Sequence, residues 1–324
     1  MNRTPSDTLY VGADLGGSKL KVALVDSEGS IVAHNSTPTE AKDGPTLIEH
    51  IVGGLKQMMA SAGAGQVKAI GVGLPGLINR QTNKVEILPN LPDAAEYDIT
   101  GEIIKRLAPL PVVFDNDANM AAYGEFVIGA ARGKRSVFFI TLGTGIGAGI
   151  ILDGEMWRGA TGFAGEFGHM TINPEGLDCT CGSFGCLETV ASAPNIVRRA
   201  RERLFRDSTS SLSKLGLRRG EFTSEDIAKA AAQGDELAQL VLERTGMYLG
   251  VAIANVVNLL NVEMVVLGGG VMEAGNLLLK PTVEEVRRRA FRPAFAACQF
   301  VISELGTNSG TVGAAMRARD ALNK

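Results

Sequence analysis

The sequence predicts an α/β protein built from two similar halves, and three observations carry that expectation. Short apolar runs of strand character alternate with longer stretches of helical periodicity. A hairpin pattern recurs: DLGGSKLKVALVD (Asp14 to Asp26) aligns without a gap on TLGTGIGAGIILD (Thr141 to Asp153), matching strand, glycine turn, strand and closing Asp. The 324 residues also exceed what one compact domain usually holds, so two domains with a cleft between them are expected. The expected division gives residues 1–118 plus about 309–324 to a small N-terminal domain and 119–308 to a larger C-terminal one.

Taken in order, Leu9 to Asp14, Leu20 to Val25 and Ile31 to Ala33 are apolar runs separated by LGGSK and DSEGS, which reads as a β-meander. From Pro45 to Ala62, residues Leu47, Ile48, Ile51, Val52, Leu55, Met58 and Met59 recur at three- and four-residue steps, an amphipathic helix, and Ala69 to Leu74 follows as a strand. Ile99 to Ala108 reads as a helix and Val112 to Asp115 as a strand. NDANMAAYGEFVIG then opens another helix, with Asn116 and Asp117 at its mouth as caps. Beyond the repeated hairpin, Pro194 to Asn261 is mainly helical, its longest periodic run being DELAQLVLERTGMYLGVAIANVVNLLN; SSLSKLGLRRG within it reads as a surface loop. Met264 to Leu267 and Phe300 to Ile302 read as strands, and a helix from about Thr311 to Leu322 closes the chain.

Composition narrows the function. With 45% hydrophobic and 21% charged residues and a net charge of -3, the chain lacks the field that draws nucleic acid or anionic lipid, so small-molecule substrates are expected. No uninterrupted apolar run nears the ~20 residues that span a bilayer, and MNRTPSDTLYVG is too polar for a secretory signal, which points to a cytoplasmic protein without a membrane partner. In that reducing compartment clustered cysteines serve as metal ligands or redox groups more often than as disulfides.

Forty glycines gather just after apolar runs, as in VGADLGGSK, GVGLPG, TLGTGIGAGI and VLGGGV. One such cluster is a tight turn; four together suggest loops shaped around a ligand. The two hairpin turns present backbone N–H groups and the hydroxyls of Ser18, Thr141 and Thr144 to an anion, and phosphate is the natural guest. Asp14 beside polyphosphate makes sense with a divalent cation between them, and Mg²⁺ suits a water-rich oxygen shell; taken alone, Asp14 reads equally well as a turn cap. No loop is a Walker A sequence, and GTGIGAG runs into a strand where a dinucleotide fingerprint needs a helix. Phosphoryl transfer asks for positioning, charge stabilisation and one base near the attacking hydroxyl. Asp117 is the candidate base, between a strand end and a helix N-terminus whose dipole keeps a carboxylate ionised, although a simple helix cap sits in the same place.

These motifs resemble the ROK family of sugar kinases, within the superfamily that also holds heat-shock proteins and actin, over nearly the whole chain. The resemblance implies a two-domain actin-like (ribonuclease H-like) ATPase fold with an interdomain cleft. It implies ATP-dependent phosphorylation of a hexose 6-hydroxyl, glucose first, with N-acetylmannosamine, N-acetylglucosamine, fructose, mannose or allose as alternatives. DLGGSK is similar to the family's DLGGTK, keeping the hydroxyl, and implies phosphate contacts at Asp14, Gly16, Gly17, Ser18 and Lys19. TLGTGIGAG implies the same at Thr141, Gly143, Thr144 and Gly145, and VLGGGV implies adenosine contacts at Gly268, Gly269 and Gly270. SGTVGAA stands where the family has AG(L/I)GAA. NDAN implies the catalytic base at Asp117 and a sugar contact at Asn116, with Gly76 of GVGLPG also at the sugar and Asp115 left as structural.

His169, Cys179, Cys181 and Cys186 follow the spacing His-x9-Cys-x-Cys-x4-Cys, which matches a closed tetrahedral Cys₃His zinc site. A disulfide would leave one of these cysteines unpaired and the histidine unexplained, and CTC is not a CxxC redox motif. GEFGH and CTCGSFGCLE are similar to the family's GExGH and CxCGxxGCxE. A closed shell leaves no position for an activated water, so the zinc is expected to be structural. The resemblance further implies that His169 turns toward the sugar and that Glu166 and Glu188 hydrogen-bond its hydroxyls. Cys298 is expected in the core, and His34 and His50 in solvent. PNLP at Pro89 to Pro92 resembles the glucose-type segment, with Asp93 where an aromatic residue often follows. The family also includes DNA-binding repressors that carry a helix-turn-helix before the first phosphate strand; Met1 to Thr8 are too few for one, so nucleic acid is not an expected partner. A homodimer or higher homo-oligomer is the family expectation.

Overall fold

The computed structural model describes residues 8–39, 43–63, 65–79, 81–82, 84–88, 94, 96–205 and 209–322. Pro89 to Pro92, the glucose-type segment, and the Asp93 that follows it lie outside the described residues.

The N-terminal half opens with the expected meander, β1 (Leu9–Leu15), β2 (Lys19–Asp26) and β3 (Ile31–Pro38), paired antiparallel in sequence. Helix α1 (Gly44–Ala60) follows, begun by a capping box in which Asp43 accepts from the Thr46 N–H at 2.8 Å. Then come β4 (Val67–Leu74), the small hairpin of β5 (Leu77–Asn79) and β6 (Lys84–Ile87), α2 (Ile99–Leu107), β7 (Val112–Asn116) and α3 (Asp117–Val127). The sheet order is β3-β2-β1-β4-β7, with β4 parallel to both β1 and β7.

Alternation along the central strands decides what each face meets. Val11, Ala13, Ile70 and Val72 join Leu47, Ile51 and Leu55 of α1 in one buried cluster. The residues between them on the other face are Gly12 and Gly71. A Cβ on either would collide with the backbone of α11 (Ser309–Ala321), at Thr311 and Ala314 respectively, so the last helix lies directly on the strand backbones. Gly124 of α3 and Gly313 of α11 are likewise without room for a side chain where the two helices cross, and the Tyr123 hydroxyl donates to Asp320 at 2.6 Å across that crossing.

The repeated hairpin begins the second sheet as β8 (Val137–Leu142) and β9 (Ile146–Leu152), followed by β10 (Glu155–Trp157). Four helices come next: the short α4 (Glu188–Ala191), α5 (Ala193–Leu204), α6 (Ser211–Arg219) and α7 (Ser224–Ala232). The long α8 (Glu236–Leu260), β11 (Met264–Gly268), α9 (Asn276–Arg289), α10 (Arg292–Ala297) and β12 (Gln299–Ile302) complete this half. The order β10-β9-β8-β11-β12 repeats the first sheet's plan, third-second-first-fourth-fifth, again with the last strands parallel to the first. Helix α8 is long and apolar enough to cross a membrane by length and composition, but 61% of its most apolar window is buried within the protein. Gly246 and Gly250 let it close on Pro281, Thr282 and Glu285 of α9, which marks it as a core helix.

SSLSKLGLRRG, expected as a loop, is instead helix α6. Its start is fixed from a distance: the Ser210 and Ser211 hydroxyls both donate to Asp235, at 2.8 and 2.7 Å, and Leu212 is buried. Two compact units divide the chain, one of Met1–Arg135, Gly149–Gly165 and Thr307–Lys324, the other of Ser136–Ala148 and Glu166–Gly306. The first takes in α3, which packs on α11, together with the later part of β9 and the segment after it, beyond the 1–118 expected from sequence.

Candidate functional site

In the first unit, the strand β7 runs without a break into α3, and the junction carries Asn116 and Asp117. Asn116 caps the helix: its Oδ1 accepts from the N–H groups of Ala118 (2.9 Å) and Asn119 (3.2 Å), and its Nδ2 donates to the Gly76 carbonyl at 3.0 Å. With the oxygen saturated and one amide hydrogen used, the side chain offers a ligand a single N–H. Gly76 supplies its carbonyl from a backbone φ of +91°, a conformation open to glycine. Asp117 accepts from the Ala118 N–H at 2.9 Å in the first turn of α3, where the helix dipole favours its negative charge. The structure therefore brings together Gly76, Asn116 and Asp117, three of the sequence-predicted site residues.

Asp115, expected to be structural, is buried, and its Oδ2 accepts from Arg158, a residue that sequence reasoning missed, with the Nε at 2.7 Å. Its Oδ1 accepts from the Asn116 N–H and from the Asn119 amide, each at 2.9 Å.

The first glycine loop joins β1 to β2 through the Gly16 N–H to Lys19 carbonyl bond at 2.9 Å and leaves Gly17, Ser18 and Lys19 exposed. Asp14, at the end of β1, faces the start of α11, where a Cβ on Gly310 would lie 2.5 Å from its Oδ2. Burial raises the Asp14 carboxyl above its ordinary range, with Lys21 opposing the shift.

In the second unit, the loop between β8 and β9 turns through the Gly143 N–H to Gly145 carbonyl bond at 2.9 Å, with Thr144 and Gly145 exposed and Thr141 half-buried. Gly269, at φ +84°, abuts the backbone of Leu142, so Gly268, Gly269 and Gly270 stand beside this loop. Glu188 lies on its other flank: its Oε2 accepts from the Ile146 N–H at 2.8 Å.

Phe167, buried and edge-on to Phe138 at 5.1 Å, anchors the GEFGH segment. The His169 Nδ1 faces the Cys179 sulfur at 3.6 Å, while its Nε2 faces Glu166 Oε2 at 3.9 Å. The ligand atoms of His169, Cys179, Cys181 and Cys186 all lie within 4.8 Å of one another, and the Cys181 and Cys186 sulfurs are 3.8 Å apart. A tetrahedral centre with metal–sulfur bonds of ~2.3 Å has sulfur–sulfur edges of about 3.8 Å, so the four side chains have the dimensions of a closed metal site. All three cysteines are free thiols. Burial raises the Glu166 carboxyl and Glu188 adds to the shift, while His169 works against it, which places both glutamates and the imidazole in one electrostatic group. Away from the site, Cys298 is buried as expected and His34 exposed. His50 is half-buried rather than solvent-facing, 3.4 Å from the Thr37 hydroxyl.

A model of the ROK family matches residues 10–321. The chain belongs to the ROK family. It is 39% identical to a glucokinase of Halalkalibacterium halodurans over 95% of this chain and 94% of that one. It is 28% identical to the DNA-binding transcriptional repressor Mlc of Escherichia coli over 97% of this chain and 76% of that one. A ROK family glucokinase from Streptomyces griseus, solved in complex with glucose and AMPPNP, superposes with a TM-score of 0.87 at 34% identity, covering 96% of this chain and 99% of that one. The two matched sheets are those of the family's two-domain actin-like ATPase fold, which this ROK chain shares.

Proposed function

We propose that this ROK protein is an ATP-dependent hexose kinase that converts glucose to glucose 6-phosphate. One observation carries the reading: Asp117, the family's base position, stands in the first turn of α3 beside an Asn116 whose fixed amide has a single N–H left to give. The glucokinases of Halalkalibacterium halodurans and Streptomyces coelicolor, at 39% and 35% identity, support it, whereas the xylose repressor of Bacillus subtilis is 31% identical.

In this reading Asn116 donates to a sugar oxygen, and Asp117 takes the proton from the 6-hydroxyl as that oxygen attacks the terminal phosphorus of ATP. The backbone N–H groups around Gly16, Gly17, Gly143 and Gly145 hold the phosphates, aided by Ser18, Lys19, Thr141 and Thr144. Gly268 to Gly270 admit the adenosine. Mg²⁺ arriving with the nucleotide neutralises phosphate charge, and Asp14 orders its water shell. Glu166, Glu188 and the Nε2 of His169 hydrogen-bond the sugar hydroxyls. Cys179, Cys181, Cys186 and the Nδ1 of His169 would hold a zinc ion that supplies structure rather than chemistry, which would leave that Nε2 available. Cytoplasmic residence and a homo-oligomeric state belong to the same reading; light scattering of the purified protein tests the latter.

The deciding experiment is a coupled assay with ATP and subsaturating glucose, mannose, fructose, allose, N-acetylglucosamine and N-acetylmannosamine. Glucose is expected to give the highest kcat/KM, by roughly tenfold or more, because a site built to hydrogen-bond one set of hydroxyls rejects misplaced ones. Preference for another sugar would overturn the glucose assignment, and turnover of none would overturn the kinase.

A further inference from the structure

We infer that Arg158 is a positioning residue for the turn that bears the base. The inference rests on the reading of Asp117 as base and Asn116 as sugar contact.

Asp115 and Arg158 are each only 9% exposed, which makes them a buried ion pair at the end of the edge strand β7. Such pairs seldom add net stability, because desolvating two charges costs about what their attraction returns. What this pair does is geometric. Arg158 comes from the segment after β10, 43 residues from Asp115 in sequence, and grips Oδ2 through its Nε and one terminal nitrogen. Its other terminal nitrogen donates to the Met156 carbonyl at 3.1 Å, which fixes the guanidinium plane. The carboxylate cannot rotate while held there, so its Oδ1 stays aimed at the Asn116 N–H and the Asn119 amide. Those two bonds clamp the last peptide of β7 and the first turn of α3, and Asn116 and Asp117 lie between the clamped points.

A cavity of about 120 Å³, lined by Ile78, Phe114, Asp115, Asn116, Arg158 and Arg317 among others, adjoins the pair. Truncating Arg158 enlarges it on the side of Asp115 and admits water to the carboxylate. Asp115 then has solvent as a competing donor, and its hold on Asn116 loosens. Displacements of order 1 Å in a reacting group cost up to ~10²-fold in rate.

The test is steady-state kinetics of Arg158→Met, Arg158→Lys and the double variant Asp115→Asn/Arg158→Met, with thermal melts and zinc content alongside. Arg158→Met is expected to lose about 10- to 100-fold in kcat and to raise KM for glucose severalfold, with KM for ATP and zinc content unchanged within about twofold. Arg158→Lys, which keeps the charge but not the fork, is expected to recover part of kcat. The double variant removes the unpaired buried charge, so it should regain thermal stability and yet remain at least ~10-fold slow. Wild-type kcat in folded Arg158→Met would overturn the inference. So would recovery of kcat together with stability in the double variant, because Arg158 would then serve folding alone. Asp117→Asn in the same assay separates the two layers: full activity there sinks the base assignment, whereas loss of activity there with an indifferent Arg158→Met sinks only the positioning role.

Discussion

The two units hold their site residues by different means. Asn116 and Asp117 stand at a strand–helix junction where a cap, a helix dipole and a buried ion pair all converge on a few atoms. Glu166 and His169 stand beside a segment without helix or extended strand: between Met170 and Cys186 the chain is held by the isolated bridges Thr171 to Cys186 and Asp178 to Phe184 and by turn-type backbone bonds such as Cys179 N–H to the Ser183 carbonyl at 2.8 Å and Gly185 N–H to the Leu177 carbonyl at 2.7 Å. That segment also buries little apolar surface, since Leu177 and Phe184 remain 49% and 53% exposed. Regular strand and helix ends organise the first site; in the second, irregular turn bonds shape the segment, and the four side chains that could hold a metal gather its two ends. Perturbations should therefore separate cleanly, metal removal striking one site and junction substitutions the other.

The largest effect expected is that of Asp117→Asn, a loss of at least ~10²-fold in kcat as the proton acceptor disappears. Because Asn116 and the junction remain, calorimetry should still find glucose binding within a few-fold of wild type. A variant with near wild-type kcat in the chemistry-limited regime would show that the base lies elsewhere.

Next in size is the effect expected at the Cys₃His cluster. Cys181→Ser removes one sulfur from the cluster, and loss of the metal frees the loop that leads to Glu188. Glucose affinity should fall at least ~10-fold while nucleotide affinity changes by about twofold or less, and elemental analysis should find the zinc gone. Zinc-free protein that binds glucose normally would erase the contrast between the two sites. Chelation of the wild-type protein should reproduce the pattern and leave the β7–α3 junction intact, as hydrogen exchange of the α3 amides would report.

How much of this was legible in the sequence depends on how local each cause is. The longer strands, α1, α8 and the hairpin repeat follow from patterns within a single segment, whereas the short β5, β6 and β10 carry no such signal. The cysteine cluster and NDAN announce themselves because their members lie within 18 residues of one another or are contiguous. Arg158 sits in EMWRGATG, where no spacing or period marks it, and its meaning comes from a carboxylate 43 residues away. Helix α6 has a loop-like composition and is set by Asp235, 24 residues further on. Gly12 and Gly71 look like weak points in strands until α11 is seen lying on them.

Gly310 offers a smaller test, beside the first glycine loop. Its replacement by Ala puts a methyl group 2.5 Å from Asp14 Oδ2, so the carboxylate or the helix start must shift. The expected outcome is a severalfold higher KM for ATP·Mg²⁺ with zinc content and glucose binding unchanged, plus a destabilisation of about 1–3 kcal/mol typical of overpacking. Unchanged nucleotide kinetics would mean that Asp14 need not hold its observed position.

The smallest expected effect concerns Asp14 and stability rather than rate. Burial raises its carboxyl above the unfolded value, so the folded state binds this proton more tightly than the unfolded chain does. The stabilisation from that proton is complete below the ordinary carboxylate range, near pH 4, and is lost as the pH rises through the raised folded value. Above that raised value the folded protein carries an ionised, desolvated carboxylate that Lys21 offsets only in part. Asp14→Asn removes that cost, and without nucleotide its Tm should exceed wild type by a few degrees at pH 7.5, at about 2–4 °C per kcal/mol. The gap should close as the pH falls toward 4, where wild-type Asp14 is protonated. ATP·Mg²⁺ should reverse the order, stabilising the wild type and scarcely affecting the variant, because only the carboxylate can engage the cation's shell. A variant less stable than wild type at pH 7.5, or a gap that ignores pH, would show that the first loop tolerates this charge through contacts of its own.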